Sequence, residues 1–317
     1  MHVVQEPFIE MKIVDKNKIL LGPSTFGEMD RTPLERLYGA GYDVIENPFK
    51  RKLIKKELIQ LLSDKVVGLI AGLETIDREV MEKSKLKVIS RCGSGMSNVD
   101  VQAAKELGIR VYSTPDGPTA AVAELTMCAL LSLMRSFPCM NQSMHQRKWD
   151  KRIGAELCGK NIAIIGFGRI GRRVAELVRA FGAHVVAVDP ALSGTVDDVQ
   201  VVDADSALEK ADVVILHASG DRPLLGEREF KLMKKGAYVL NAARGGLIDE
   251  KELEKALVRG QVAGAWLDTF AEEPYTGPLC DCENVILTPH VGSYTLECRR
   301  QMELKSAENL LAGLRNE

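Results

Sequence analysis

The chain has 317 residues, a hydrophobic fraction of 45%, a charged fraction of 27% and a formal net charge of −2. That length corresponds to about two domains of ordinary size, with enough apolar residues to build sizeable cores. A charge so close to zero gives no electrostatic basis for binding nucleic acid or an anionic membrane surface, so neither is expected as a partner.

From Lys18 to Tyr112 short apolar runs alternate with amphipathic segments. Ile19 to Leu21, Val44 and Ile45, Val66 to Ile70, Val88 and Ile89, and Val111 read as strands; Pro33 to Tyr38, Leu53 to Leu62 and Val101 to Leu107 read as helices. This is a βα set with its own parallel sheet. The basic run Lys50, Arg51, Lys52, Lys55 and Lys56 is interleaved with Leu53, Ile54, Leu58 and Leu61, as on the solvated face of a helix. At STPDGPT two prolines and a glycine interrupt the periodicity, marking a hinge before a long helix, Ala120 to Met134, and a second helix at about Met140 to Trp149.

The next stretch, NIAIIGFGRIG, organises the second half of the chain. Ile162 to Ile165 read as a strand buried on both faces, and it runs into Gly166, Gly168 and Gly171 in G-x-G-x-x-G spacing. Val174, Leu177, Val178 and Phe181 then recur at helical spacing. Gly166 suits a sharp turn, Gly168 lets a pyrophosphate approach the main chain, and Gly171 lets the helix lie close to its strand, while the free N–H groups of the helix start face the phosphates. A second strand, His184 to Val188, ends in Asp189, eighteen residues after the last glycine. A carboxylate there accepts both ribose hydroxyls of NAD and repels a 2′-phosphate, so strand, turn, helix and acid together point to NAD as cofactor. The alternation continues through Val213 to Leu216, Tyr238 to Leu240, Val262 to Trp266 and Val285 to Leu287. It ends in an amphipathic helix, Leu296 to Leu314, with no strand after it.

Ligands of open parallel sheets bind beyond the carboxyl ends of strands. Those ends carry His217, Arg244 in NAARGG, Asp268 and Glu273 in LDTFAEEP, and His290 in TPHVGS. Reducing a 2-keto acid needs a cation to hold the carboxylate and polarise the ketone, and Arg244 offers a bidentate fork for it. It also needs an acid to protonate the alkoxide, for which an imidazole titrating near neutrality is suited, and His290 is the candidate. Glu273, bonded to the other ring nitrogen, would stabilise the charged imidazole.

The seven cysteines, Cys92, Cys128, Cys139, Cys158, Cys280, Cys282 and Cys298, include no C-x-x-C pair and no histidine accompanies Cys280 and Cys282, so no metal is expected. Unpaired thiols fit a reducing cytoplasm. No stretch reaches the roughly twenty apolar residues of a bilayer span, and the N-terminal MHVVQEPFIEMKIVDKNK has no continuous apolar segment, so neither export nor insertion is expected.

RCGSGMSNVD (Arg91 to Asp100), TAAVAEL (Thr119 to Leu125), GFGRIG, NAARGGLIDE (Asn241 to Glu250), LDTFAEEP (Leu267 to Pro274) and TPHVGS (Thr288 to Ser293) occur in one order. In these pieces the chain resembles the D-isomer-specific 2-hydroxyacid dehydrogenases, and especially their phosphoglycerate-dehydrogenase-like branch. The resemblance implies an α/β protein of two Rossmann-like doubly wound domains. One is a flavodoxin-like substrate domain of residues 1–113 and 291–317, the other an inserted NAD-binding Rossmann domain of residues 114–290. It implies Arg244, Glu273 and His290 as the catalytic set. The cofactor set it implies is Gly166, Gly168, Arg169, Ile170, Gly171, Asp189, Pro190, His217, Ala243, Asp268 and Gly292, with Arg169 and Ile170 meeting the pyrophosphate through their backbone and Asp268 near the nicotinamide carboxamide. Ser94 and Gly95 match positions whose N–H groups hold the substrate carboxylate, and a homodimer through the NAD-binding domain, with the long helix contributing, is expected.

The substrate expected is a small 2-hydroxy or 2-keto acid, 3-phosphoglycerate first and glyoxylate or hydroxypyruvate next. The loop AGLETI departs from the phosphoglycerate pattern, carrying Gly72 and Glu74 where an arginine is usual, which leaves Arg91 as the phosphate cation. The loop ASGDRP after His217 lacks the usual proline-leucine-threonine pattern. Ending at Glu317, the chain is expected to carry no appended regulatory domain. An NAD-sensing binding protein, as in the corepressors that resemble this family, is the alternative of another class. Formate or phosphite oxidation is a further alternative with no supporting motif.

Overall fold

The computed structural model describes residues 16–220 and 222–315. The first fifteen residues, read above for an export signal, and Asp221 of the ASGDRP loop lie outside these. The chain forms two units, one running to Pro115 and resuming at Arg299, the other Asp116–Cys298.

In the first unit the apolar runs become strands β1 (Lys18–Leu21), β2 (Asp43–Ile45), β3 (Val66–Ala71), β4 (Val88–Arg91) and β5 (Arg110–Tyr112). They are joined by helices α1 (Thr32–Gly39), α2 (Lys55–Leu61), α3 (Arg78–Glu82) and α4 (Val101–Glu106). The sheet is parallel throughout, in the order β2-β1-β3-β4-β5. Every residue of β3 is buried, as a central parallel strand covered on both faces requires.

The second unit holds α5 (Pro118–Met134), α6 (Phe137–His145), β6 (Asn161–Ile165), α7 (Arg169–Ala180), β7 (His184–Val188), β8 (Thr195–Val196), β9 (Val199–Val201), α8 (Ala204–Lys210), β10 (Val213–Leu216), α9 (Glu227–Leu232), β11 (Ala237–Asn241), α10 (Glu250–Val258), β12 (Val262–Leu267) and β13 (Val285–Leu287), and it includes the start of α11 (Leu296–Arg315). Its eight strands run β13-β12-β11-β10-β6-β7-β9-β8, parallel except for the β8–β9 hairpin at the edge. Alternate residues feed two cores: Ala163, Ile165, Val214, Leu216 and Val239 pack on one face, Ile162, Ile164, Val213, Ile215 and Leu240 on the other. Each such fully buried Ile, Leu or Val side chain contributes roughly 1.5–3 kcal/mol.

Two details differ from the periodicity. The helix read over Met140 to Trp149 is α6, which ends at His145 because Arg147 takes a left-handed φ of 61°, and Trp149 is exposed. Phe181 lies just beyond α7 and is also exposed, so the buried stripe of that helix is Gly171, Val174, Ala175 and Val178. The residues after β13 are tied to Asp268 through the N–H groups of Val291 and Gly292, and the first unit resumes at Arg299.

The strandless final helix finds its place in the first unit. Met302, Ala307 and Leu310 are buried, and the carboxylate of Glu303, itself 1% exposed, accepts from Gly27 N and Arg299. None of the described helices is long and apolar enough to cross a membrane alone; α5 and α6 would reach that length together, but they are bent by 68° and α5 buries ten residues.

Candidate active site

The strand order of the second unit reverses between β6 and β10, so a crevice opens beyond the carboxyl ends of these two strands. Gly166 follows β6 with φ at 94°, and a Cβ there would sit 2.3 Å from the amide nitrogen of Ala218, next to His217 at the end of β10. Only glycine lets the two strand ends close in this way. Gly171 is buried on α7, while Gly168 and Arg169 are exposed at its start and Ile170 is half-buried. No side chain caps the first turn of α7, and a Cβ on Gly168 would meet nothing within 4 Å, which leaves the uncapped N–H groups open to an anion.

Asp189, at the end of β7, has Oδ2 accepting from Phe167 N at 2.9 Å and Oδ1 accepting from Ala191 N at 3.0 Å, so it braces the glycine turn while each oxygen keeps a second lone pair. Pro190 follows it, exposed. The Arg169 side chain pairs with Asp116 at 2.8 Å, which leaves its backbone N–H as its group at the helix start. Both ring nitrogens of His217 are buried without a hydrogen-bond partner among the described residues, and burial pushes its pKa down to about 4, so the ring is neutral at pH 7. Unfilled polar atoms at a strand end, an open glycine turn and an acid after the second strand fit a dinucleotide.

Arg244, Glu273 and His290 come from the ends of β11, β12 and β13 of the same sheet. Asn241 shapes the first loop: its buried side chain accepts from Ala243 N at 3.0 Å and donates to the Arg244 carbonyl at 2.9 Å. Arg244 is half-buried, and its Nη1 donates to the Ala243 carbonyl at 2.6 Å. Gly245 has no room for a side chain, since a Cβ would lie 1.8 Å from the Phe270 carbonyl carbon, so the arginine loop lies directly against the loop leading to Glu273. Glu273 Oε1 accepts from Phe270 N at 3.2 Å, and the carboxylate faces His290 Nδ1 at 3.2 and 3.0 Å. Glu273 and His290 side chains are each about one third exposed, at 33% and 32%, so the pair is open on one side.

Asp268, 1% exposed, takes Thr288 Oγ1 at 2.6 Å and Val291 N at 2.9 Å on Oδ1, and Gly292 N at 2.8 Å on Oδ2. Asn241 and Thr288 are the contributors that motif reading passed over. Their signal was a polar residue closing or directly following an apolar strand run. Among the described residues no group of three His, Cys, Asp or Glu is placed to hold a metal.

In the first unit the strand order reverses between β1 and β3. There Glu74, 1% exposed, lays its carboxyl against Gly22 and accepts from Gly72 N at 2.9 Å, and burial raises its pKa. Arg91 is also buried, with Nη1 bonded to the Cys92 carbonyl. Ser94 is exposed and Gly95 half-buried in the loop after β4.

Residues 127–292 match the model of the NAD binding domain of D-isomer specific 2-hydroxyacid dehydrogenases. A D-3-phosphoglycerate dehydrogenase of Methanocaldococcus jannaschii is 40% identical over 276 residues, 84% of this chain and 53% of that protein. A hydroxypyruvate reductase of Thermotoga maritima is 36% identical over 272 residues, 83% of this chain and 89% of that protein. The crystal structure of TT0316 protein from Thermus thermophilus superposes with a TM-score of 0.87 at 34% identity, covering 95% of this chain and 97% of the other. The chain thus spans about half the length of the phosphoglycerate dehydrogenases it matches, at 53% to 55% of each.

Proposed function

The chain belongs to the D-isomer specific 2-hydroxyacid dehydrogenase family, whose NAD-binding domain it contains, and on that premise we propose that it interconverts a small, unphosphorylated 2-keto acid and its D-2-hydroxy acid. The observation that carries the reading is the contact of Glu273 with His290 Nδ1 at 3.0 Å, beside an arginine loop and on the sheet that carries the glycine turn. An ionised carboxylate only accepts, so Nδ1 carries the proton of that bond and Nε2 is left to serve the reacting oxygen. His290 Nε2 gives its proton to the carbonyl oxygen in reduction and takes it back in oxidation, and Glu273 stabilises the charged ring. Arg244 holds the carboxylate and polarises the ketone. NADH, when bound, supplies the hydride.

On the cofactor side we assign the adenine ribose to Asp189 with Pro190 beside it, the pyrophosphate to the N–H groups of Arg169 and Ile170 over Gly166, Gly168 and Gly171, and further contacts to His217, Ala243, Asp268 and Gly292. Residues 116–298 serve as the NAD-binding domain, and the loop after β4, with Ser94 and Gly95, binds the substrate carboxylate. A homodimer through the NAD-binding unit belongs to the same proposal: α6 buries none of its residues, and Phe137, Met144 and Trp149 are exposed there.

Glu74 supports an unphosphorylated substrate. Its carboxyl lies against Gly22 and accepts from Gly72 N at the switch point of the first sheet, so an acid stands there in place of a cation for a phosphate. Arg91, the cation considered for a phosphate, is turned onto its own backbone. The identity to phosphoglycerate dehydrogenases keeps 3-phosphoglycerate as the second reading.

The test is NADH oxidation with hydroxypyruvate, glyoxylate and phosphohydroxypyruvate in parallel, compared as kcat/KM. A preference of at least tenfold for an unphosphorylated acid is expected. The reverse preference establishes the second reading, and NADH binding without oxidation of any 2-keto acid points to a binding protein.

A further inference from the structure

His290 sits in the left-handed region with φ at 54°, a conformation that side chains other than glycine adopt only where their surroundings hold them. Its own N–H donates to the Thr288 carbonyl at 2.9 Å, so residues 288–290 form a tight turn. The groups that hold this turn come from one side chain. Asp268 accepts from Thr288 Oγ1 two residues before the histidine, and from Val291 N and Gly292 N directly after it. Behind it, Trp266 Nε1 donates to Thr288 Oγ1 at 3.0 Å, so the hydroxyl accepts from the buried indole and donates its own O–H to the carboxylate. Both Asp268 oxygens are thus engaged by the residues that bracket His290.

We infer that Asp268 is a positioning residue for His290: its carboxylate, fixed through the Trp266–Thr288 pair, clamps the turn from both sides so that the imidazole meets Glu273 on Nδ1 and presents Nε2. The inference rests on the proposed role of His290 and adds a function for Asp268 besides any contact with the cofactor. Asn at this position keeps the shape but replaces one acceptor with an NH2 that opposes an N–H or O–H donor. The turn then loosens, and a displacement of even about 1 Å in a reacting group costs roughly a hundredfold in rate.

A double-mutant cycle tests this, with kcat at saturating NADH and the NADH dissociation constant from calorimetry measured for Asp268→Asn, His290→Ala and the double variant. Asp268→Asn is expected to lower kcat at saturating NADH by about a hundredfold, whatever it does to the NADH dissociation constant, and to cost nothing further in kcat in the His290→Ala background. Equal losses in both backgrounds, or an unchanged kcat, would overturn the inference. Wild-type turnover by His290→Ala alone would instead remove the proposed role of His290, and the clamp with it. Should Asp268→Asn fold poorly, Thr288→Val removes one arm of the clamp and is expected to lower kcat roughly tenfold with NADH binding intact, while Thr288→Ser keeps the hydroxyl and recovers most of that loss. A Thr288→Val enzyme as active as wild type would count against the clamp.

Discussion

Glu273 Oε2 lies 3.0 Å from His290 Nδ1, and the same carboxylate is held in place through Oε1 by the N–H of Phe270 at 3.2 Å. The bond therefore fixes which ring nitrogen is turned inward and which is free. His290→Ala is expected to lower turnover by about two to four orders of magnitude, the usual scale of general acid–base catalysis. Glu273→Gln, which keeps the shape and removes the charge, is expected to cost roughly tenfold to a hundredfold. NADH affinity should move little in either variant. Full turnover in His290→Ala would take the histidine out of the proton transfer.

Asp189 braces Phe167 N, and the proposed function gives it a second, separable duty, presenting charge to the ribose. Asp189→Asn keeps an oxygen for Phe167 N and removes the charge, so it isolates the second duty. A carboxylate beside a 2′-phosphate at a partly exposed site costs about 1–4 kcal/mol. The ratio of kcat/KM with NADPH to that with NADH is thus expected to rise at least tenfold in Asp189→Asn. A ratio that stays at the wild-type value would move the discrimination away from Asp189.

The strands were legible because parallel strands buried on both faces appear as continuous apolar runs: Ile162 to Ile165 and Val213 to Leu216 match β6 and β10 to within a residue. Helix α6 was misplaced because it buries no residue, so no apolar stripe marks its ends. The hairpin of β8 and β9 has strands of two and three residues, too short for a period to show. Arg244, Glu273 and His290 could be singled out since each follows a strand run, where polar residues have little other reason to cluster. What Asp268 holds could not be read, because its three donors arrive from residues twenty and more positions away and only the closed backbone brings them together. The burial of Glu74 was equally hidden, since it depends on Gly22 and Gly72 leaving room at two strand ends.

Glu74 gives a stability prediction of its own. Burial raises its folded pKa above the unfolded value, so the folded chain binds the proton more tightly. Its contribution to stability is full below the unfolded value and is lost as pH rises through the folded one. Glu74→Gln still accepts from Gly72 N and carries no charge to bury. The variant is expected to have a higher urea midpoint than wild type at pH 8, with the gap narrowing toward pH 5. A lower midpoint at pH 8 would mean that the ionised carboxylate is the favoured form.

His217 has the opposite linkage. Its pKa is pushed down to about 4 by burial, against an ordinary value of 6.5, so between these values the unfolded chain holds a proton that the folded chain refuses. Stability is unaffected by this group above pH 6.5 and falls as the pH drops toward 4, at a slope of up to about 1.4 kcal/mol per pH unit. His217→Phe keeps an aromatic ring and cannot titrate. The difference in unfolding free energy between wild type and His217→Phe, from urea titrations at half-unit steps between pH 7 and 4.5, is therefore expected to be flat above 6.5 and to move steadily in favour of the variant below it. A difference that stays flat across the whole range would show that the folded imidazole takes up its proton as readily as the unfolded one, and would open the His217 ring to water.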